Sequence, residues 1–219
     1  MQFEIPETEI RVLVPRQLEN LFLPLTAEEK RVLDEGITAA LPRCEKCFSV
    51  TPYKGYRRDG EVLFNPYHSG QYSIFLYFLS NTLAKQSPEC RSLAARIYYL
   101  NKALNSVELY FEVELPDIFF VDHPLGSVIG RAVFKDHFAF HQNCTVGNNR
   151  GLYPRIGKHV TMLANSQIIG DCDIGDHVML AANTCVIDED VPECSLVFGR
   201  SPNLIFKPRP KEFFLRPLV

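Results

Sequence analysis

The chain has little of what would place it in a membrane, on nucleic acid or in an oxidising compartment. Its longest uninterrupted apolar stretch, residues 74–79, is six residues, far short of the roughly 20 that span a bilayer. It has no excess of positive charge: 23 basic residues against 26 acidic ones leave a net charge of −3. No global field therefore draws it to nucleic acid or to an anionic membrane. No basic-then-apolar leader opens it either, because Glu4 and Pro6 interrupt the first residues. The expectation is a soluble, cytoplasmic protein. Seven cysteines are an odd number and imply no disulfide framework. Cys44 and Cys47 form a C-x-x-C pair, but no second Cys/His pair at zinc spacing follows it. The pair also comes after a helical stretch and Pro42, where a redox motif would need a βαβ setting. What remains is an ordinary globular balance, 46% hydrophobic and 22% charged, in 219 residues.

The N-terminal half reads as mainly helical. Thr26 and Glu29 have capping-box spacing, which predicts a helix to about Leu41, closed by Pro42. Residues 43–66 carry Pro52, Gly55, Gly60 and Pro66 among charges and read as loop with one short strand. Ile74, Phe75, Phe78, Leu79 and Leu83 recur at helical spacing over residues 67–85. Leu93, Ile97, Leu100 and Leu104 do so over 89–104, with Pro88 at the entrance. The period then changes to two: Val107, Leu109, Phe111, Val113 and Leu115 alternate with Glu108, Tyr110, Glu112 and Glu114, a strand pattern.

Beyond that the period becomes six. Ile156, Met162, Ile168, Ile174, Leu180 and Val186 fall six residues apart without a break. Val160, Ser166, Cys172, Val178 and Thr184, nearly all small, follow four positions later in each hexad. Phe134, Phe140 and Val146 form an upstream register, set off by four extra residues within the segment 147–155. This is the hexapeptide β-helix signature. Each hexad forms one flat side of a triangular coil, so the aliphatic residue points inward and stacks on its copy one coil away. The small residue fits the tight corner, and successive coils bury a shared core. The chain thus divides into residues 1–106, mainly helical; 107–199, the β-helix; and 200–219, an extended basic tail with Arg200, Lys207, Arg209, Lys211 and Arg216 against Glu212.

A β-helix core is structural, so chemistry must come from side chains that leave it. Six histidines are available: His68, His123, His137, His141, His159 and His177. His159 and His177 should stack on neighbouring coils as part of a solvated face. A zinc site there would need a third nitrogen, from His137 or His141.

The segment Val121-Asp122-His123-Pro124-Leu125-Gly126-Ser127-Val128-Ile129-Gly130, followed by Thr145-Val146-Gly147, resembles the serine O-acetyltransferase family of hexapeptide-repeat acyltransferases. The resemblance covers roughly residues 65–210. It implies an α+β fold in which the helical N-terminal domain precedes a left-handed parallel β-helix. It also implies acetyl-CoA as co-substrate, no metal, and a homotrimer or a dimer of trimers with sites between subunits. His123 takes the place of the family's catalytic histidine, preceded by Asp122; its carboxylate partner lies fifteen residues upstream, where Glu108 replaces the family's aspartate and is expected to orient the imidazole. The chemistry agrees: moving an acetyl group from a thioester to a hydroxyl needs a base near neutral pH, which histidine supplies. A carboxylate on its other nitrogen fixes the tautomer.

Gly147, Ala164, Ala182 and Gly199 match the places where small residues let coenzyme A lie along the coils. Arg200 and Lys207 are candidates for its phosphates. On the acceptor side the family's arginine and histidine before Pro-Lys-Ile are replaced: Leu152 and Tyr153 precede Pro154-Arg155-Ile156. Serine is the family's acceptor, and a sugar or amino sugar is the alternative small-molecule acceptor, with Tyr153, His68 and Gln71 as candidate lining residues. Helix capping explains His68 and Gln71 equally well. A β-helix scaffold without chemistry is the non-enzymatic alternative; it would need neither Asp122-His123 nor the basic tail.

Overall fold

The computed structural model describes residues 1–51 and 53–215. Pro52 and Arg216, read above as loop and tail residues, lie outside the described residues. The chain divides into two compact units, Met1–Glu112 and Val113–Val219, so the division falls a few residues after the expected one.

The first unit begins with β1 (Gln2–Phe3) and α1 (Glu7–Leu21), then α2 (Ala27–Ser49), the hairpin β2 (Arg57–Arg58) and β3 (Glu61–Phe64), α3 (Ser69–Gln86), α4 (Arg91–Asn105) and the short β4 (Glu108–Leu109). Strand β3 lies between β1, parallel to it, and β2, antiparallel. The capping box is present: Glu29 N donates to Thr26 Oγ1 at 3.1 Å and Thr26 N to Glu29 Oε2 at 2.8 Å. Helix α2 does not stop at Pro42, however. Cys44, Cys47 and Phe48 beyond it are buried, as is Leu41 just before it. At about 1.5–3 kcal/mol for each fully buried large apolar side chain, that packing offsets the backbone bond that proline removes. Burial pushes the Cys44 thiol well up, the reverse of a reactive thiolate. Helix α3 packs against α2 and α4. The alternation over residues 107–115 marks side chains correctly, since Val107, Leu109, Phe111, Val113 and Leu115 are buried. Only Glu108–Leu109 forms a strand; the chain turns at Phe111 and Glu112, so the alternate burial beyond Leu109 is not that of a continuous strand.

The second unit is a parallel β-helix. Its strands are β5 (Phe119–Val121), β6 (Val128–Ile129), β7 (Val133–Phe134), β8 (Phe138–Phe140), β9 (Thr145–Gly147), β10 (Arg155–Ile156), β11 (Val160–Met162), β12 (Gln167–Ile169), β13 (Asp173–Ile174), β14 (Val178–Leu180), β15 (Cys185–Ile187), β16 (Ser195–Arg200) and β17 (Asn203–Pro208), with α5 (Lys211–Phe214) at the end. One face stacks β7, β10 and β13; a second stacks β5, β8, β11, β14 and β16; the third stacks β6, β9, β12 and β15. The hexad register is the stacking register: Phe134, Ile156 and Ile174 pair, as do Phe140, Met162 and Leu180, and Val146, Ile168 and Val186. Of these only Phe134 is half-buried; the rest form the core. The tail differs from expectation. Arg200 ends β16, and Lys207 lies opposite Leu196 in an antiparallel hairpin. Half-buried Leu204 and Phe206 alternate with exposed residues, so the segment folds back and covers the open edge of the last coil instead of trailing from it.

Candidate active site

One corner of the β-helix joins the face of β8, β11 and β14 to the face of β9, β12 and β15. The turn there takes four residues in three successive coils, 141–144, 163–166 and 181–184. Between β5 and β6 it takes six, 122–127. Hydrogen bonds identify the two extra residues. Ser127 N donates to Pro124 O, as Ser166 N does to Leu163 O and Thr184 N to Ala181 O. Gly126 holds φ +70° where Asn143, Asn165 and Asn183 hold +57°, +63° and +65°. Residues 124–127 are therefore the regular turn, and Asp122 and His123 are inserted before it. Residues added to a corner cannot fit the coil's cross-section and must project. His123 sits at φ +50°, and its side chain is 70% exposed against 24% for Asp122.

Asp122 lies between two imidazoles. Its Oδ1 is 3.8 Å from His123 Nε2 and its Oδ2 is 3.5 Å from His141 Nδ1. The backbone explains the second approach: Asp122 N donates to Phe140 O as His141 N donates to Met162 O, so the two residues occupy one row on adjacent coils. Burial pushes the His141 imidazole below the usual histidine range, opposed by Asp122 and reinforced by His123. Sequence reasoning considered His141 only as a zinc ligand. The signal for its real setting is the apolar spacing, which is eight from Val121 to Ile129 and six from Phe140 to Val146.

The other expected residues fall in several places. Glu108 lies in the first unit, where its carboxylate accepts from Lys102 Nζ. His68 caps α3, its Nδ1 accepting from Gln71 N at 3.3 Å. Gln71 is fully buried; its amide donates to Gly55 O at 2.9 Å and accepts from Asn65 N at 2.6 Å. Both side chains serve the entrance of that helix. Ala164 and Ala182 stack on adjacent coils at the corner described above, Asn183 N donating to Ala164 O at 3.0 Å. Gly147 ends β9, at the far side of the next face, in register with Ile169 and Ile187. Gly199 (φ +91°) and Arg200 end β16. Lys207 Nζ lies 4.8 Å from the centre of the Phe198 ring. Tyr153, with Leu152, lines a shallow groove of about 450 Å³ that also includes Arg131, Val133 and Arg155. Arg155 is engaged by Asp171 at 3.3 Å and Asp173 at 3.1 Å.

His159 and His177 do stack, and His137 joins them. Ring centres lie 4.2 Å apart for His137–His159 and 4.9 Å for His159–His177, with planes within 12° and 8° of parallel. Face-to-face rings direct their nitrogens along parallel planes instead of towards one point. Among the described residues no group of three or more His, Cys, Asp or Glu side chains is arranged to hold a metal ion. No helix among them is long and apolar enough to cross a membrane.

The fold and the lengthened corner define a hexapeptide-repeat β-helix protein that projects one exposed histidine and its neighbouring carboxylate. No family model matches the chain. Its relatives include the serine acetyltransferases of Staphylococcus aureus and Staphylococcus epidermidis, 27% and 28% identical over 138 residues, or 60% of this chain. The chain spans 63% of the length of these relatives. Among solved structures it is similar to serine acetyltransferase from Vibrio cholerae, with a TM-score of 0.72 and 20% identity over 94% of this chain and 81% of that one. The Brucella abortus enzyme in complex with coenzyme A gives 0.68 and 21% over 92% and 82%. A serine acetyltransferase in complex with cysteine gives 0.70 and 20% over 90% and 83%. These likenesses bear out the α+β reading, a helical N-terminal part and a left-handed parallel β-helix, and with it the resemblance to the serine O-acetyltransferase family.

Proposed function

We propose that the protein is an acetyl-CoA-dependent O-acetyltransferase of the serine acetyltransferase type. The observation that carries this reading is the two-residue insertion that lifts Asp122 and His123 out of an otherwise regular corner, in a chain whose relatives bear that name. His123 acts as general base. It takes the proton from the acceptor hydroxyl as the oxygen attacks the thioester carbonyl. When the tetrahedral intermediate collapses, the C–S bond breaks, the acetyl group stays on the acceptor oxygen, and the imidazolium returns its proton to the departing thiolate. Asp122 favours the imidazolium through charge.

Coenzyme A lies along the small residues of the coils. Ala182 is exposed and Ala164 half-buried, so the backbone beside them is open to the pantetheine chain. Exposed Arg200 and Lys207 take its phosphates. The acceptor side holds Tyr153 and Leu152; Arg155 beside them already faces two carboxylates, and Arg131 lines the same groove. Leu152 and Tyr153 supply no charge for the carboxylate of a free amino acid, so an amino sugar competes with serine as acceptor. The working form is a homotrimer or a pair of trimers in the cytoplasm. The test is release of free thiol from acetyl-CoA with serine and amino sugars offered separately. Acceptor-dependent release supports the reading. No release with any acceptor, and no thermal shift at millimolar acetyl-CoA, favours a scaffold.

A further inference from the structure

We propose that His141 is a positioning residue, whose Nδ1–H holds the Asp122 carboxylate beside His123. The inference rests on the reading of His123 as base. Its geometry does not: Asp122 and His141 share a row because β5 and β8 are in parallel register, Val121 opposite Phe140. Neighbouring strands lie about 4.8 Å apart, and the two side chains reach each other across that step at 3.5 Å. Further along the row stand Leu163 and Ala181, so the coil itself makes no demand for an imidazole at 141. Only the coil beside the insertion has one.

Burial assigns the tautomer. The His141 side chain is 15% exposed, and its Nε2 is buried with no hydrogen-bond partner among the described residues. A neutral imidazole has one donor and one acceptor nitrogen. Placing the proton on Nε2 would bury an unpaired N–H and aim a lone pair at a carboxylate. Placing it on Nδ1 directs the donor at Asp122 and leaves only an acceptor unpaired, the less costly assignment. The backbone at 141 is fixed too, because Ser127 Oγ donates to His141 O at 2.8 Å. With Oδ2 held from below, Oδ1 is kept on the His123 side instead of turning to water, and the base keeps one orientation.

Long-range 1H–15N spectra of the full-length labelled protein at neutral pH, assigned with His141→Asn, test the pair without any assay. The expected result is an Nδ1–H tautomer for His141 that loses its preference in Asp122→Ala. Kinetics then test the role. His141→Leu, the residue type of the next coil, should lower kcat by at least about tenfold and leave KM for acetyl-CoA within about twofold. His141→Asn keeps an N–H donor where Nδ1 stood and should restore most of the loss. An Nε2–H tautomer, or an unchanged kcat in His141→Leu, overturns the proposal. If the parent protein acetylates no acceptor, it is the reading of His123 that fails, and the tautomer alone decides the Asp122–His141 pair; should His141→Leu not fold, the same spectrum decides.

Discussion

His137, His159 and His177 all sit at positive φ, +65°, +55° and +59°, a conformation that asparagine and histidine tolerate better than most residues. Stacking three imidazoles there sets a pH dependence. Burial and the neighbouring rings push His159 down to about 4, with Lys158 acting in the same direction and Asp176 against it. Its folded value lies below the ordinary 6.5, so between these values the unfolded chain binds more protons than the folded one. Stability is present above about pH 6.5, falls as the pH drops, and reaches its full loss near 4. Urea denaturation midpoints should therefore decline from pH 7 to pH 5, and His159→Asn, which keeps the backbone, should flatten the decline. An equal slope in both proteins would remove the stack as its cause. The same residue scale was partly legible in sequence: the 18-residue spacing of His159 and His177 foretold their stacking, whereas His137 lies 22 residues before His159 and joins only because of the four extra residues after Gly147.

Elements were more legible where one force dominates. In the β-helix each inward residue meets its own copies, so the hexads reported the pairing register without knowledge of the rest of the chain. In α2 the outcome depended on distant partners: Pro42 is a local stop signal, and only packing of residues beyond it overrides the signal. The basic segment was hard to read for the same reason. It reads as an extended basic tail, but the β16 partner that makes it a hairpin lies upstream. A core prediction follows from the stack. Leu180 lies between Met162 and Val197 and is fully buried, so Leu180→Ala should cost about 2–5 kcal/mol in equilibrium unfolding. A cost below about 1 kcal/mol would mean that the coils collapse around the gap more freely than a stacked core allows.

Across the whole molecule the net charge of −3 conceals an uneven distribution, with Arg200, Lys207, Arg209 and Lys211 clustered at one end of the second unit. If that cluster holds the coenzyme A phosphates, Lys207→Glu should weaken coenzyme A binding at low ionic strength. The difference should shrink as salt rises, since exposed charges are screened over about 10 Å at 0.1 M. A salt-independent loss, or none, would assign the lysine to packing on Phe198 instead. In solution the proposed assembly requires a mass three or six times that of the 25.0 kDa chain, which sedimentation equilibrium measures. The central claim is that the inserted Asp122-His123 pair carries the chemistry, and thiol release by His123→Ala tests it most directly. The account predicts turnover at least ~100-fold below that of the unaltered protein, with acetyl-CoA affinity retained; turnover within a few-fold would contradict it.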